Sequence, residues 1–184
     1  MPSIKLPVLR YPNPRLREVS RDVDDAVDRN VKQLVDAMIE TMYENKGAGL
    51  SAVQVGAPLR VFVLDGDLVT KGMHALVFVN PVLDTTVPSK KEVTEEGCLS
   101  FPGVAVEVER FTEVALTAFN RDGKMFTIGL SGYAAKAAQH ELDHLEGRLL
   151  IDHLSSIKRD ILNRKIAKSR RLQKARRGLR VRPN

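Results

Sequence analysis

Ser131-Gly132-Tyr133-Ala134-Ala135-Lys136-Ala137-Ala138-Gln139-His140-Glu141-Leu142-Asp143-His144-Leu145-Glu146-Gly147 is the stretch on which the fold turns. Its first half is small and helix-favouring, which suits a helix packed closely on most sides. Ser131 stands where an N-cap belongs and Gly147 where a helix stops, so the spacing predicts a buried helix from Gly132 to about Glu146. A helix turns once per roughly 3.6 residues, which puts His140 and His144 one turn apart on one face. Two imidazoles so placed can hold one metal ion. Glu141 flanks that face, close enough to reach a water at the metal without binding the metal itself. This is the H-E-x-x-H arrangement of metal-assisted hydrolysis, two ligands and a general base. A lone buried histidine is usually a satisfied core residue; two at this spacing with a glutamate between them favour metal. The third ligand stays open at this point.

Outward from this helix the chain reads mostly as strands. Arg60–Asp65 and Ala75–Pro81 are short β-branched and aromatic runs bounded by turn formers, and Pro81 predicts an edge or a turn. Two more strands are expected near Val104–Arg110 and Glu113–Asn120, the second leading through Asp122-Gly123 into Lys124–Ile128, a hairpin signature. Further upstream, Val27, Val31, Leu34, Val35, Met38, Ile39 and Met42 trace an amphipathic helix from about Ala26 to Asn45. Val8–Arg21, with Pro12, Asn13 and Pro14, reads as an ordered extended segment. Regular β-α-β alternation is absent. The expected fold is therefore α+β: antiparallel or mixed β-sheets packed around a central metal-binding helix, with an N-terminal amphipathic helix and a C-terminal helix.

A chain of 184 residues suits one domain with a real core. The apolar fraction of 43% and charged fraction of 28% are those of a globular protein. No apolar run approaches the roughly 20 residues of a membrane span, and the first residues carry no apolar signal core, so a cytoplasmic protein without membrane contact is expected. The single cysteine, Cys98, excludes an internal disulfide and fits a reducing compartment. Charge is uneven. From Ile157 to Asn184 there are 12 Lys and Arg against one acid, Asp160, which leaves the upstream part with 17 basic and 22 acidic residues. A mildly acidic body, 1–156, thus carries a basic tail, 157–184, and the tail points to a polyanionic partner.

Two segments bear on the open ligand position. Gly47-Ala48-Gly49-Leu50-Ser51-Ala52-Val53-Gln54 does not fit a phosphate loop, but its glycines let backbone approach a ligand closely. Gln54 is an amide in an otherwise apolar run. Glu95-Glu96-Gly97-Cys98-Leu99-Ser100 offers a thiolate, and a thiolate beside two imidazoles makes a three-ligand site with one position open. A lone cysteine is more often a small buried hydrophobe. A structural zinc site wants a fourth protein ligand, and His74 and His153 lie in no ligand spacing.

Gly47–Gln54, Glu96–Ser100 and Gln139–Gly147 together resemble the three motifs of peptide deformylase in order and spacing. The resemblance runs from Val8-Leu9-Arg10-Tyr11-Pro12 to about Leu154. It implies that Cys98, His140 and His144 hold the metal, Fe²⁺ in the cell, with Zn²⁺, Ni²⁺ or Co²⁺ as substitutes. It implies further that Glu141 takes a proton from the attacking water and returns it to the leaving amine. The side-chain amide of Gln54 and the backbone N–H of Leu99 are then the oxyanion donors. The substrate would be the N-formyl-methionine of nascent peptides, laid as an added strand on Gly47-Ala48-Gly49, with Glu96 and Ala137 in the substrate-binding set. Ala48, Leu99 and Ala137 match positions lining an apolar pocket for the first side chain. Glu96 and Gln139 are expected to orient ligands by hydrogen bonds, and Asp143 and Arg110 to pair. Two departures stand out: Ala48 and Ala137 are smaller than the residues common there, and Ser51 replaces an alanine. Neither is expected to bear on the chemistry.

In bacterial deformylases a basic C-terminal helix resembling this tail docks on the large ribosomal subunit. The resemblance therefore implies rRNA contacts by Arg170, Arg171, Lys174, Arg176 and Arg177. A monomer is expected. Two other classes compete. One is a metalloprotease using H-E-x-x-H with a distant carboxylate as third ligand. The other is a nucleic-acid-binding protein whose tail is the function and whose metal is structural.

Overall fold

The computed structural model describes residues 5–84 and 89–180, with side chains as far as Arg171. The chain divides into two compact units, 1–150 and 151–184. In the first, helix α1 (Arg29–Glu44) precedes strands β1 (Gly49–Ser51), β2 (Val61–Leu64), β3 (Leu76–Asp84), β4 (Lys91–Gly97), β5 (Ala105–Phe111), β6 (Glu113–Phe119) and β7 (Met125–Ser131), and helix α2 (Gly132–Leu145) follows. Five strands form one antiparallel sheet in the order β1-β2-β3-β6-β7, and β4 and β5 make a separate hairpin. The α+β class is the expected one.

Strand β2 shows how the layers form. All four of its residues are buried, and successive side chains of a strand leave on opposite faces. Val61 and Val63 therefore join Val31, Val35, Met38 and Met42 of α1 in one cluster. Phe62 and Leu64 join Ala134, Ala135, Ala138 and Leu145 of α2 in the other. Phe62 stacks on Phe78 with ring centroids 4.6 Å apart. The alanines keep α2 close to the sheet, as their size predicts, and each large side chain buried this way stabilises the fold by about 1.5–3 kcal/mol.

Asp28 caps α1, its carboxylate accepting from the N–H groups of Asn30 and Val31, so this helix starts three residues later than its apolar pattern suggests. Ser131 occupies the N-cap of α2 in extended conformation, but its hydroxyl makes no capping bond. Gly147, at φ 68°, follows the C-cap Glu146; a side chain there would also strike the Arg17 carbonyl. Pro81 does not end its strand. Strand β3 continues to Asp84 through a register shift between Val79 and Val82, with Asn80 at φ 51° absorbing the irregularity. Strands β1 and β4 stand where the sequence showed only motifs.

In the second unit, α3 (Ser156–Arg180) carries the basic tail. Arg170 and Arg171 are exposed, while the side chains of Lys174, Arg176 and Arg177 lie outside the described ones. No helix among the described residues is long and apolar enough to cross a membrane.

Candidate metal centre

Three distant segments meet at one cleft of about 450 Å³, lined by Gly47, Ala48 and Gly49 on one side, Glu95–Leu99 on another and α2 on a third. Helix geometry brings His140 and His144 together with ring centroids 5.0 Å apart. The turn after β4 delivers Cys98, whose Sγ lies 3.3 Å from His144 Nε2. One donor atom from each of these three residues lies within 4.8 Å of the others. Ligands of a single ion at about 2.0–2.3 Å sit about 3.4–3.8 Å apart in a tetrahedral array, so the donor set fits a thiolate-imidazole metal site. Burial pushes the Cys98 thiol up, but His144 and His140 beside it prevail and hold its pKa at about 5. The thiolate is the ligating form. Buried His144 keeps Nδ1 without a hydrogen-bond partner among the described residues.

His140 is held from behind. Its Nδ1 lies 3.0 Å from Glu96 Oε2. Arg110 donates from Nε and Nη2 to the two oxygens of the same carboxylate at 2.9 and 3.1 Å, and from Nη1 to Asp143 at 2.6 Å. Burial pushes the Glu96 carboxyl up, but the bonds from His140 and Arg110 outweigh it and bring its pKa to about 2. The bridge ties β4 and β5 to α2 and fixes the ring that faces the cleft. The expected Asp143–Arg110 pair is present. Gln139 instead anchors the helix: its amide accepts from the Phe111 N–H at 3.0 Å and donates to the Phe111 carbonyl at 2.9 Å, as a neighbouring strand would.

Glu141 is 4% exposed, and that burial raises its pKa despite His140, His144 and Ser51 nearby. Its carboxylate packs on Gly49, where an added Cβ would stand 2.7 Å from Oε1 and 2.9 Å from Cγ. That contact explains why the β1 edge needs a glycine. The Ser51 hydroxyl lies 2.5 Å from Glu141 Oε2 and 3.0 Å from the Glu141 carbonyl. The substitution of Ser51 for alanine therefore does touch the chemical groups, against expectation: β1 crosses α2 where its serine meets the glutamate.

Gln54 is buried, and its Nε2 donates to Ser100 Oγ at 3.1 Å and lies 3.6 Å from Cys98 Sγ. Its Oε1 accepts from the Ser51 N–H at 2.9 Å. The N-terminal segment binds the two motifs together: Leu9 donates to the Gln54 carbonyl, Tyr11 donates to the Ser100 carbonyl, and the Tyr11 ring stacks on Phe101. Ala48, Leu99, Ala137 and Glu96 all line the cleft, as do Tyr133 and Lys136. Sequence reading passed over the last two. The helical spacing held the signal, since Lys136 precedes His140 by one turn.

The comparisons agree with this geometry. The family model described as Polypeptide deformylase matches residues 5–160. A peptide deformylase of Stutzerimonas stutzeri is 43% identical over 168 residues, 91% of this chain and 98% of that one. A peptide deformylase crystal structure from Legionella pneumophila superposes with TM-score 0.83 at 38% identity, covering 92% of this chain and 98% of that one. The Met-Ala-Ser-bound crystal structure of a class I type b peptide deformylase from Acinetobacter baumannii gives TM-score 0.74 at 32% identity, covering 83% of this chain and 99% of that one. With the cysteine and the two histidines gathered in one cluster and the family model matched over residues 5–160, the chain belongs to the polypeptide deformylase family.

Proposed function

We propose that Cys98, His140 and His144 hold one divalent ion, Fe²⁺ in the cell, and that the cleft beside them removes the formyl group from formyl-methionyl nascent peptides. The family makes the chain a metal-dependent amide hydrolase. The observation that carries the assignment of residues is the convergence of the Cys98 thiol with two imidazoles and a buried carboxylate from a helix some 40 residues further along the sequence. An ion held there supplies Lewis-acid chemistry, acidifying a water and polarising a carbonyl.

The protein's own groups carry the protons and the charge. Glu141, with its raised pKa, accepts the proton of the attacking water on its carboxylate and delivers it to the departing amine nitrogen. The Gln54 amide and the Leu99 N–H serve the oxygen that gains charge at the formyl carbon. Water thus adds across the C–N bond, giving formate and a free amine.

The substrate backbone runs along β1, the edge strand of the sheet. The Ala48 carbonyl accepts from the Asp65 N–H, so by strand alternation the polar groups of Gly49 turn away from β2 toward the cleft. An extended peptide laid there gains backbone bonds common to all sequences. The Acinetobacter baumannii relative binds Met-Ala-Ser. The same tripeptide would seat its first side chain here beside Ala48, Leu99 and Ala137.

Metal removal by a chelator is expected to abolish turnover of formyl-Met-Ala-Ser, with Fe²⁺ or Ni²⁺ restoring it. Glu141→Ala is expected to lower kcat by about 10³-fold while one equivalent of metal stays bound. Full activity without metal, or unchanged turnover in Glu141→Ala, refutes the assignment.

Residues 1–156 form the catalytic domain in this reading, and 157–184 a tail for ribosomal RNA in the cytoplasm. The charge of 12 basic residues against one acid supports that. A chain ending at Leu154 should keep its short-peptide activity and lose salt-sensitive ribosome binding in sedimentation. Equal binding by both forms overturns the tail's role.

A further inference from the structure

The wall of the cleft next to the ligand cluster carries polar groups that the reaction does not use. Tyr133, Lys136, Ala137, His140 and Glu141 line the cavity, and their spacing is that of one helical face. Strand β4 runs beside it. Glu92, Thr94 and Glu96, at alternate positions, share one side of that strand. Glu96 meets His140 at 3.0 Å, and Glu92 accepts from Lys136 Nζ at 2.7 Å. Between the two pairs the strand advances about 13 Å and the helix about 6 Å, so the extended lysine side chain spans the difference.

Lys136 is 13% exposed at its side chain, although its partner Glu92 is 57% exposed. Its ammonium has three N–H donors, and Glu92 takes one. Thr94, between the pairs, buries a hydroxyl that has no hydrogen-bond partner among the described residues. Lys136 brings spare N–H donors to the cleft it lines. The surfaces nearer the ligands, Ala48, Leu99 and Ala137, are apolar.

We propose that the pocket for the substrate's first side chain accepts an apolar stem ending in a neutral oxygen acceptor, so that N-formyl-methionine sulfoxide peptides are substrates beside N-formyl-methionine ones. The inference rests on the deformylase reading, which puts that side chain beside the cluster. Lys136 lines the same cleft as Ala137, one helical turn, about 6 Å of rise, before His140. A thioether is a weak acceptor, whereas the sulfoxide is polar. An anionic tip gains less, because Glu92 already neutralises the lysine. A neutral acceptor takes a spare N–H and leaves the pair intact. The sulfoxide is not consumed: water adds across the formyl C–N bond as before, releasing formate.

The test measures kcat/KM of the metal-loaded enzyme on formyl-Met-Ala-Ser, its methionine-sulfoxide counterpart and its norleucine counterpart. Calorimetry on the three deformylated products supplies a second readout. The wild type should process the sulfoxide peptide within about tenfold of the methionine peptide, and Lys136→Met should lower the sulfoxide-to-methionine ratio about tenfold in both readouts, with the norleucine ratio holding. Glu92→Gln, at an exposed position, should free the ammonium and raise affinity for Glu-Ala-Ser about tenfold, which keeps the test open if Lys136→Met does not fold. Discrimination against the sulfoxide beyond about 100-fold, or ratios that neither variant moves, overturns the pocket inference while methionine turnover upholds the deformylase reading. No turnover on any peptide strikes the deformylase reading, and the product affinities then still decide the pocket.

Discussion

The two sides of α2 solve opposite problems with the same backbone. Toward the sheet it presents Ala134, Ala135, Ala138 and Leu145, all buried against Phe62, Leu64 and Phe78. Toward the cleft it presents His140 and Glu141, also buried yet polar. The first side stabilises by apolar contact, which is non-directional and tolerates exchange at constant volume. The second contains groups that cost free energy to bury unless each is paired. Its pairing comes from outside the helix: Glu96 and Arg110 from the β4–β5 hairpin, Ser51 from β1. The fold holds the site by surrounding one helix with two sheets, and function lies on the side where hydrogen bonds, rather than packing, set position.

The largest effect expected on that contrast comes from Arg110→Ala. It leaves Glu96 and Asp143 buried without their shared cation, and breaking such a buried pair costs about 3–5 kcal/mol. Here the low end applies, because Glu96 keeps His140 and Asp143 keeps Arg148 at 3.5 Å. Denaturant unfolding measures it, and a loss below about 1 kcal/mol shows that the hairpin does not brace the helix. Ala138→Leu probes the opposite side. Ala138 is fully buried, so overpacking should cost about 1–3 kcal/mol with kcat per folded molecule unchanged. A large drop in kcat there, with stability intact, breaks the division between the two sides.

The same division explains what was legible in the sequence. Periodicity reports apolar sides, so α1, α2 and the β2, β3, β5, β6 and β7 strands showed through, with ends off by a few residues. The ligand pattern on α2 was legible because His140, Glu141 and His144 belong to one local repeat. Strands β1 and β4 were not: β1 has three residues, and β4, Lys91–Gly97, is mostly polar and exposed. Its one buried side chain, Glu96, is a carboxylate whose burial depends on Arg110, 14 positions away. Ser51 was misjudged for a similar reason. In sequence it is one small residue in an apolar run, and only the crossing of β1 over α2 brings it to Glu141, 90 positions on.

Ser51→Ala sharpens the comparison with the smallest expected effect. The hydroxyl has one proton to donate, and two acceptors on Glu141 lie within reach, the carboxylate at 2.5 Å and the backbone carbonyl at 3.0 Å. The carboxylate is the stronger acceptor because its charge assists the bond. Removing the donor withdraws a stabiliser of the charged form, so the Glu141 pKa, already raised by burial, rises further. A base that must be ionised to accept a proton is then lost at a higher pH, and the acidic limb of kcat/KM should move upward. At neutral pH kcat should fall severalfold, about 1 kcal/mol in the barrier, with KM nearly constant. Ser51→Thr keeps the donor and should leave the limb in place. If the limb stays put in Ser51→Ala while KM rises instead, the serine shapes the substrate edge at Gly49 rather than the glutamate, and the boundary between packing and chemistry lies one residue further along β1.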